Sequence, residues 1–156
     1  MLKKGIFLGL IILTIVLTSG CTSGASLPTL REETSILDDT VAKYDNAMSL
    51  YRQDDYARAK AEFVEAVSGF KDCQSKFDEI AKSDLTELEK KDAGKLASSS
   101  LQFAYASAYM RDACTEAMNE DGDGYYMEVS ASEYETTARN LYEANKAELE
   151  QFWSSQ

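Results

Sequence analysis

Tyr56-Ala-Arg-Ala59-Lys-Ala-Glu-Phe63-Val-Glu-Ala66-Val-Ser-Gly-Phe70-Lys-Asp-Cys73-Gln-Ser-Lys-Phe77-Asp-Glu-Ile80 carries the longest unbroken helical pattern of the chain. Its apolar and small residues fall at Tyr56, Ala59, Phe63, Ala66, Phe70, Cys73, Phe77 and Ile80, alternating steps of three and four without a miss. That period places all eight on one stripe of a helix and makes a heptad seam, the pattern of helices packed side by side. The spacing predicts a helix over residues 55–82.

The helical period continues on both sides of this stretch. Upstream, Thr29-Leu-Arg-Glu32 has the spacing of a capping box. The face Leu37, Val41, Tyr44, Met48, Tyr51 follows it, with a stop near Gln53-Asp54-Asp55. Downstream, Asp84-Leu-Thr-Glu87 reads as another cap-like opening. It starts a third segment that reaches Asn119, either continuous or broken near Gly94. Leu96 to Met118 is rich in Ala and Ser with apolar groups on more than one side, so this helix is expected to be the most buried. After the loop Asn119–Gly124, Ser132-Glu-Tyr-Glu135 reads as the opening of a fourth helix. Its face is Tyr134, Ala138, Leu141, Leu149 and Phe152, with Asn145 at the intervening step and Trp153 alongside. No window alternates long enough for a strand, and the single proline is Pro28. The expectation is one all-α domain over residues 29–156 with about four helices. It is either an antiparallel bundle or a superhelix of two tetratricopeptide-like hairpins.

The hairpin resemblance rests on particular residues. Ala47 and Leu50 lie on the first helix, Asp55 in the turn, and Tyr56, Ala59, Phe63 and Ala66 on the second helix. This spacing resembles a single tetratricopeptide repeat. The positions where that family places Trp and Leu hold Lys43 and Asn46, the closing Pro is missing, and no second copy follows at the 34-residue period. The resemblance implies peptide or protein binding rather than catalysis.

The N-terminus has a different character. Lys3 and Lys4 precede an apolar run from Gly5 to Leu17, the layout of a secretory signal. The run is shorter than the roughly 17–25 residues of a spanning helix. It ends in Leu17-Thr18-Ser19-Gly20-Cys21, which resembles the lipobox of prokaryotic lipoproteins, with Thr18 where that family prefers Leu. By the resemblance, residues 1–20 are a lipoprotein signal peptide and Cys21 carries a covalent lipid that anchors the chain. An ordinary signal peptide and a retained membrane helix are the other two readings. Thr22-Ser-Gly-Ala-Ser-Leu-Pro28 makes residues 21–28 a flexible tether. The expected location is exported and membrane-anchored, facing the periplasm or the cell exterior.

Charge and composition narrow the function classes. The chain carries 27 acidic and 16 basic residues, a net charge of -11, and no His. Loss of Lys3 and Lys4 with the signal takes the net to -13. Such a charge repels phosphate backbones, so nucleic acid is not an expected partner. It also repels anionic headgroups, so the lipid must do the anchoring. Without His there is no Ser-His-Asp triad, no His-ligated zinc and no base to activate a hydrolytic cysteine. The acidic pairs Glu32-Glu33, Asp38-Asp39 and Asp54-Asp55 fall on polar helix faces, where solvation accounts for them.

Three groups of residues remain as candidate sites. Cys73 and Cys114 form a disulfide only if the third helix breaks near Gly94. On a straight hairpin they lie roughly 30 Å apart and read as buried, inert thiols. Asn119, Asp121 and Asp123, with Gly124 at the sixth position, begin like an EF-hand calcium loop, but the twelfth position is Ser130. A weak calcium site and a plain polar connection are both open there. Tyr51, Tyr56, Tyr105 and Tyr109 are candidates for an interaction surface or for half-buried bundle positions. No cofactor beyond the lipid is expected. The function the sequence favours is a lipid-anchored interaction or envelope assembly module whose partners are other envelope or surface proteins. A small-ligand or weak calcium-binding lipoprotein is the alternative, and an enzyme is not expected.

Overall fold

Helix propensity, caps and the four apolar stripes resolve into an up-down-up-down arrangement. A computed structural model describes residues 29–119, 122 and 124–155. The helices are α1 (Leu30–Tyr51), α2 (Tyr56–Ile80), α3 (Glu87–Ala117) and α4 (Tyr125–Ser154). There is no strand among the described residues. None of the four helices is long and apolar enough to cross a membrane. The all-α bundle expected from the sequence is the observed fold.

α1 starts at the expected capping box. The Thr29 hydroxyl accepts from the Glu32 amide, and the Glu32 carboxylate accepts from the Thr29 amide at 2.8 Å. The α2 seam is buried from Ala59 to Ile80 at every expected position, with Tyr56 packed against its edge. Asp55 caps α2 through the Arg58 amide. At the end of α1 the buried residues are Ala47 and Leu50, while Met48 and Tyr51 are only partly covered. The stripe thus sits about one residue from the expected face.

Two helix starts differ from expectation. The box that opens α3 is Thr86 with Glu89, not Asp84 with Glu87. α4 begins at Tyr125, seven residues before Ser132, from a left-handed Gly124 (φ 65°) that supplies no side-chain cap. α3 runs unbroken past Gly94 and buries thirteen residues, more than any other helix. That agrees with the small, apolar character of its middle.

The core centre is aromatic. Phe70 and Phe103 stack with ring centroids 4.8 Å apart, and Tyr44 meets Phe63 and Phe103 edge-on at 5.7 Å each. Backbone packing runs from α1 to α2, α2 to α3 and α3 to α4. The return from α4 to α1 is made by long side chains in antiparallel order. Arg31 stacks over Trp153, Lys146 and Tyr142 reach Asp38, Arg139 reaches Asp45, and Tyr51 reaches Glu128. These contacts close the ring, so the molecule is a bundle rather than an open superhelix.

The α3–α4 contact is built on a seven-residue ladder. Gly124 lies against Ala113, and Ser99 donates to the Ala138 carbonyl at 2.8 Å. Ala106 and Ala131 fall at the level between them. One further heptad places Asp92 and Asn145 at a common level. All of these residues are buried. Small side chains on both helices let the backbones approach closely, which is why a Cβ on Gly124 would sit 3.1 Å from the Ala113 carbonyl oxygen.

Candidate functional site

The two ends of the bundle differ in chemistry. One end holds Thr29, the α2–α3 turn and the end of α4. A groove of about 450 Å³ there is lined by Leu30, Ile80, Leu85 and Trp153 among others. The other end holds the α1–α2 turn and the α3–α4 connection. The 22 residues of α1 separate the ends by about 33 Å.

From mid-length to the second end, α3 and the α3–α4 connection into α4 carry five of the nine tyrosines, Tyr105, Tyr109, Tyr125, Tyr126 and Tyr134. Of the acids there, Glu128 meets Tyr51 and Glu135 meets Arg139, and Arg111 is the one basic residue between Leu96 and Ala138. Arg111 is held by its neighbour Asp112 at 2.7 Å. Tyr126 is 80% exposed and meets Tyr125 edge-on at 5.8 Å. Tyr134 of α4 stacks on Tyr109 of α3 at 5.5 Å and leans on Tyr105 at 5.3 Å. Tyr105, Met118 and Val129 are exposed as well. Glu116, Gly124, Tyr126 and Met127 line a cleft of about 150 Å³. Rings held by one another present a flat, amphipathic face at little entropic cost.

The tyrosines predicted as an interaction surface form two groups. Tyr105 and Tyr109 belong to the α3–α4 face just described. Tyr51 and Tyr56 pair edge-on at 5.2 Å beside the α1–α2 turn. Their hydroxyls are engaged, Tyr51 donating to Glu128 and Tyr56 to Asp54 at 2.7 Å. Burial, with the Glu128 hydrogen bond and charge behind it, pushes the Tyr51 phenol well above its usual range. It stays protonated and acts as a donor.

The cysteines are free and buried, so the disulfide reading is corrected. The physical reason is the unbroken α3, which keeps Cys114 at the tyrosine-rich end while Cys73 sits beside Glu33 and Thr40. Burial pushes the Cys73 thiol up to about 12 and Cys114 to about 11, which leaves neither a useful nucleophile. Glu33, expected on a solvated face, is instead buried next to Cys73, and burial raises its carboxyl above the ordinary value.

Of the candidate calcium ligands, Asp121 and Asp123 lie outside the described residues, as does Cys21. Asn119 is exposed and forms a turn. Its amide donates to the Glu116 carbonyl at 2.9 Å, and its own carbonyl accepts from Gly122 at 3.1 Å. Among the described residues no cluster of three His, Cys, Asp or Glu side chains is arranged to hold a metal.

Sequence reasoning missed the polar seam between α1 and α4. Arg139 lies 5.7 Å over the Phe103 ring and 5.9 Å over Tyr44, pairing with Glu135 at 2.8 Å and with Asp45. Tyr44 is buried and donates to Glu135 at 3.0 Å. Lys146 meets Asp38 at 2.6 Å. The available signal was the spacing of Glu135, Arg139, Tyr142 and Lys146, which lie on one flank of α4. No family model matches the chain, and no curated protein or solved structure matches it.

Proposed function

We propose that this chain is a lipid-anchored, extracytoplasmic interaction module that assembles with other envelope or surface proteins. The observation that carries the reading is the polarity of the bundle. Thr29, the residue that follows the tether, lies at one end, and the exposed Tyr125–Tyr126 pair lies at the other, with the Tyr105, Tyr109 and Tyr134 rings between that pair and mid-length. A lipid on Cys21 with the eight-residue tether therefore leaves the tyrosine face pointing away from the bilayer. A rigid bundle about 33 Å long then acts as a spacer that presents this face. The two buried thiols, raised far above neutral, fit a binding role better than a catalytic one.

Two measurements test the reading. Intact mass of the membrane-extracted chain should begin at Cys21 with an added lipid mass, and Cys21→Ser should release the chain from membranes. A photo-crosslinker in place of Tyr126 should capture envelope proteins that one in place of Glu65, on the outer face of α2, does not. A freely soluble wild-type chain, or equal capture from both positions, defeats the proposal.

A further inference from the structure

We infer that the groove at the Thr29 end of the bundle seats the chain's own tether, with the Leu27 side chain lying against Ile80, Leu85 and Trp153. This goes beyond the interaction-module reading, and only its consequence for stand-off rests on the lipid. The groove of about 450 Å³ is built by the start of α1, the α2–α3 turn and the end of α4. Its polar groups are already engaged locally. Thr29 closes the α1 capping box with Glu32 through both its hydroxyl and its amide. Ser83 donates to the Ile80 carbonyl at 2.7 Å, and Glu89 accepts from the Thr86 amide and hydroxyl. Arg31 lies 5.1 Å over the Trp153 ring. What the groove offers an occupant is therefore Leu30, Ile80, Leu85 and Trp153, an apolar surface.

The sequence supplies an apolar group within reach. Between Cys21 and Leu30, Leu27 is the only large aliphatic residue. It precedes Thr29, which lines the groove, by two residues, so the chain holds it within about 7 Å of that wall. Pro28 fixes its own φ and restricts Leu27 to extended backbone, so docking costs this pair little entropy. Covalent attachment puts Leu27 at the groove at an effective concentration on the order of millimolar or above. A second copy of the chain would bring its net charge of -11 against the same charge. Burial of a leucine side chain favours the docked form by about ten- to hundredfold. With Leu27 seated, the free leash shortens from eight residues to six, about 20 Å at full extension, which holds this end of the bundle close to the bilayer.

The test uses the mature chain in phosphatidylcholine vesicles, or in buffer if it proves freely soluble, so that the docking and the lipid reading fail separately. Trp153 is the single tryptophan and reports on the groove. Leu27→Asp should lower the docked population about tenfold or more, shifting Trp153 emission to the red and raising its quenching by acrylamide. Leu27→Ile should behave as the parent. Ala25→Asp adds the same charge two residues away and should leave both readings unchanged. As a second measurement, Leu27→Cys with Leu85→Cys should oxidise to a disulfide faster than Ser23→Cys with Leu85→Cys. Unchanged emission and quenching in Leu27→Asp, equal changes in Ala25→Asp, or a Leu27–Leu85 pair that oxidises no faster than the Ser23 pair overturns the inference. So does quenching of the parent Trp153 by brominated lipid chains, which would put the bilayer in the groove. Protection of Trp153 that disappears on dilution would put a second copy there and overturns it as well.

Discussion

Asp92 on α3 and Asn145 on α4 stand one heptad beyond the Ser99–Ala138 hydrogen bond, at the same level of the antiparallel seam, and each buries an oxygen that lacks a hydrogen-bond partner. Asn145 spends its amide hydrogen on the Leu141 carbonyl, which leaves its own oxygen as an acceptor. The second oxygen of Asp92 is likewise an acceptor unless it carries a proton. Protonation turns the Asp92 oxygen from an acceptor into a donor, the kind of partner that the acceptor of Asn145 at this level lacks. Burial, with the Glu148 charge behind it, raises the Asp92 carboxyl above its ordinary value, while Lys95 and Lys91 pull the other way.

The pH dependence of stability follows from the sign of these shifts. Asp92 and Glu33 both have raised folded-state values, so between the ordinary and the raised value the native chain holds protons that the unfolded chain has released. Their contribution is complete below the ordinary value and is lost as pH climbs through the raised one. The unfolding free energy in urea should therefore fall as pH rises above the ordinary carboxylate range. Asp92→Asn keeps the shape and brings a permanent donor to Asn145. It should flatten the slope and add about 1 kcal/mol near neutral pH. A variant less stable than the parent at neutral pH, with the steeper slope, would show that Asp92 is ionised and held by Lys95.

The glycines of α3 and α4 give opposite predictions. Gly94 lies inside α3 with open space around its missing Cβ. Gly94→Ala should stabilise by about 0.5–1 kcal/mol through backbone entropy. Gly124 has φ 65° and closes against Ala113. Gly124→Ala strains the turn and wedges the tightest part of the ladder, and should cost about 1–3 kcal/mol. Urea midpoints of the two variants against the parent check both signs.

Cys73 and Cys114 should not react with a thiol reagent at mildly alkaline pH until denaturant is added, because burial both raises their thiols and blocks access. Intact mass should not change on reduction. A gain of about 2 Da would place the two in a bond and require a broken α3.

The α2 seam was legible because its buried positions are all apolar or small and the step never fails. The α3–α4 ladder was not, because Ser99, Ala106, Ala113, Ala131 and Ala138 carry little hydrophobic signal and matter for closeness rather than burial. Asn145 was visible as the polar step on the α4 face, but Asp92 and its pairing with that level were hidden for a related reason. A polar residue at a core level interrupts the apolar period, and its partner lies 53 positions away. The tyrosine cluster was only half visible. Tyr105 and Tyr109 are four apart on one helix, but the ring that joins them, Tyr134, comes from another.

The start of α4 shows how a local signal is overridden, and it yields the sharpest comparison. Thr86 and Ser132 both begin a Ser/Thr-x-x-Glu pattern. Thr86 is an N-cap whose hydroxyl accepts from the Glu89 amide at 3.3 Å. Ser132 lies seven residues inside α4, and the glutamate that would complete its box, Glu135, is taken by Tyr44 and Arg139. With Gly124 free to turn left-handed, the helix can begin earlier, and packing on Ala113 favours the longer form. Thr86→Ala should therefore cost about 1 kcal/mol through the lost cap. Ser132→Ala removes no cap and replaces an exposed interior serine with a better helix former, so it should gain a few tenths of a kcal/mol. Equal losses at the two positions would mean that α4 starts at Ser132 in solution, and the Tyr125–Ala131 stretch would then exchange its amide hydrogens as fast as a loop.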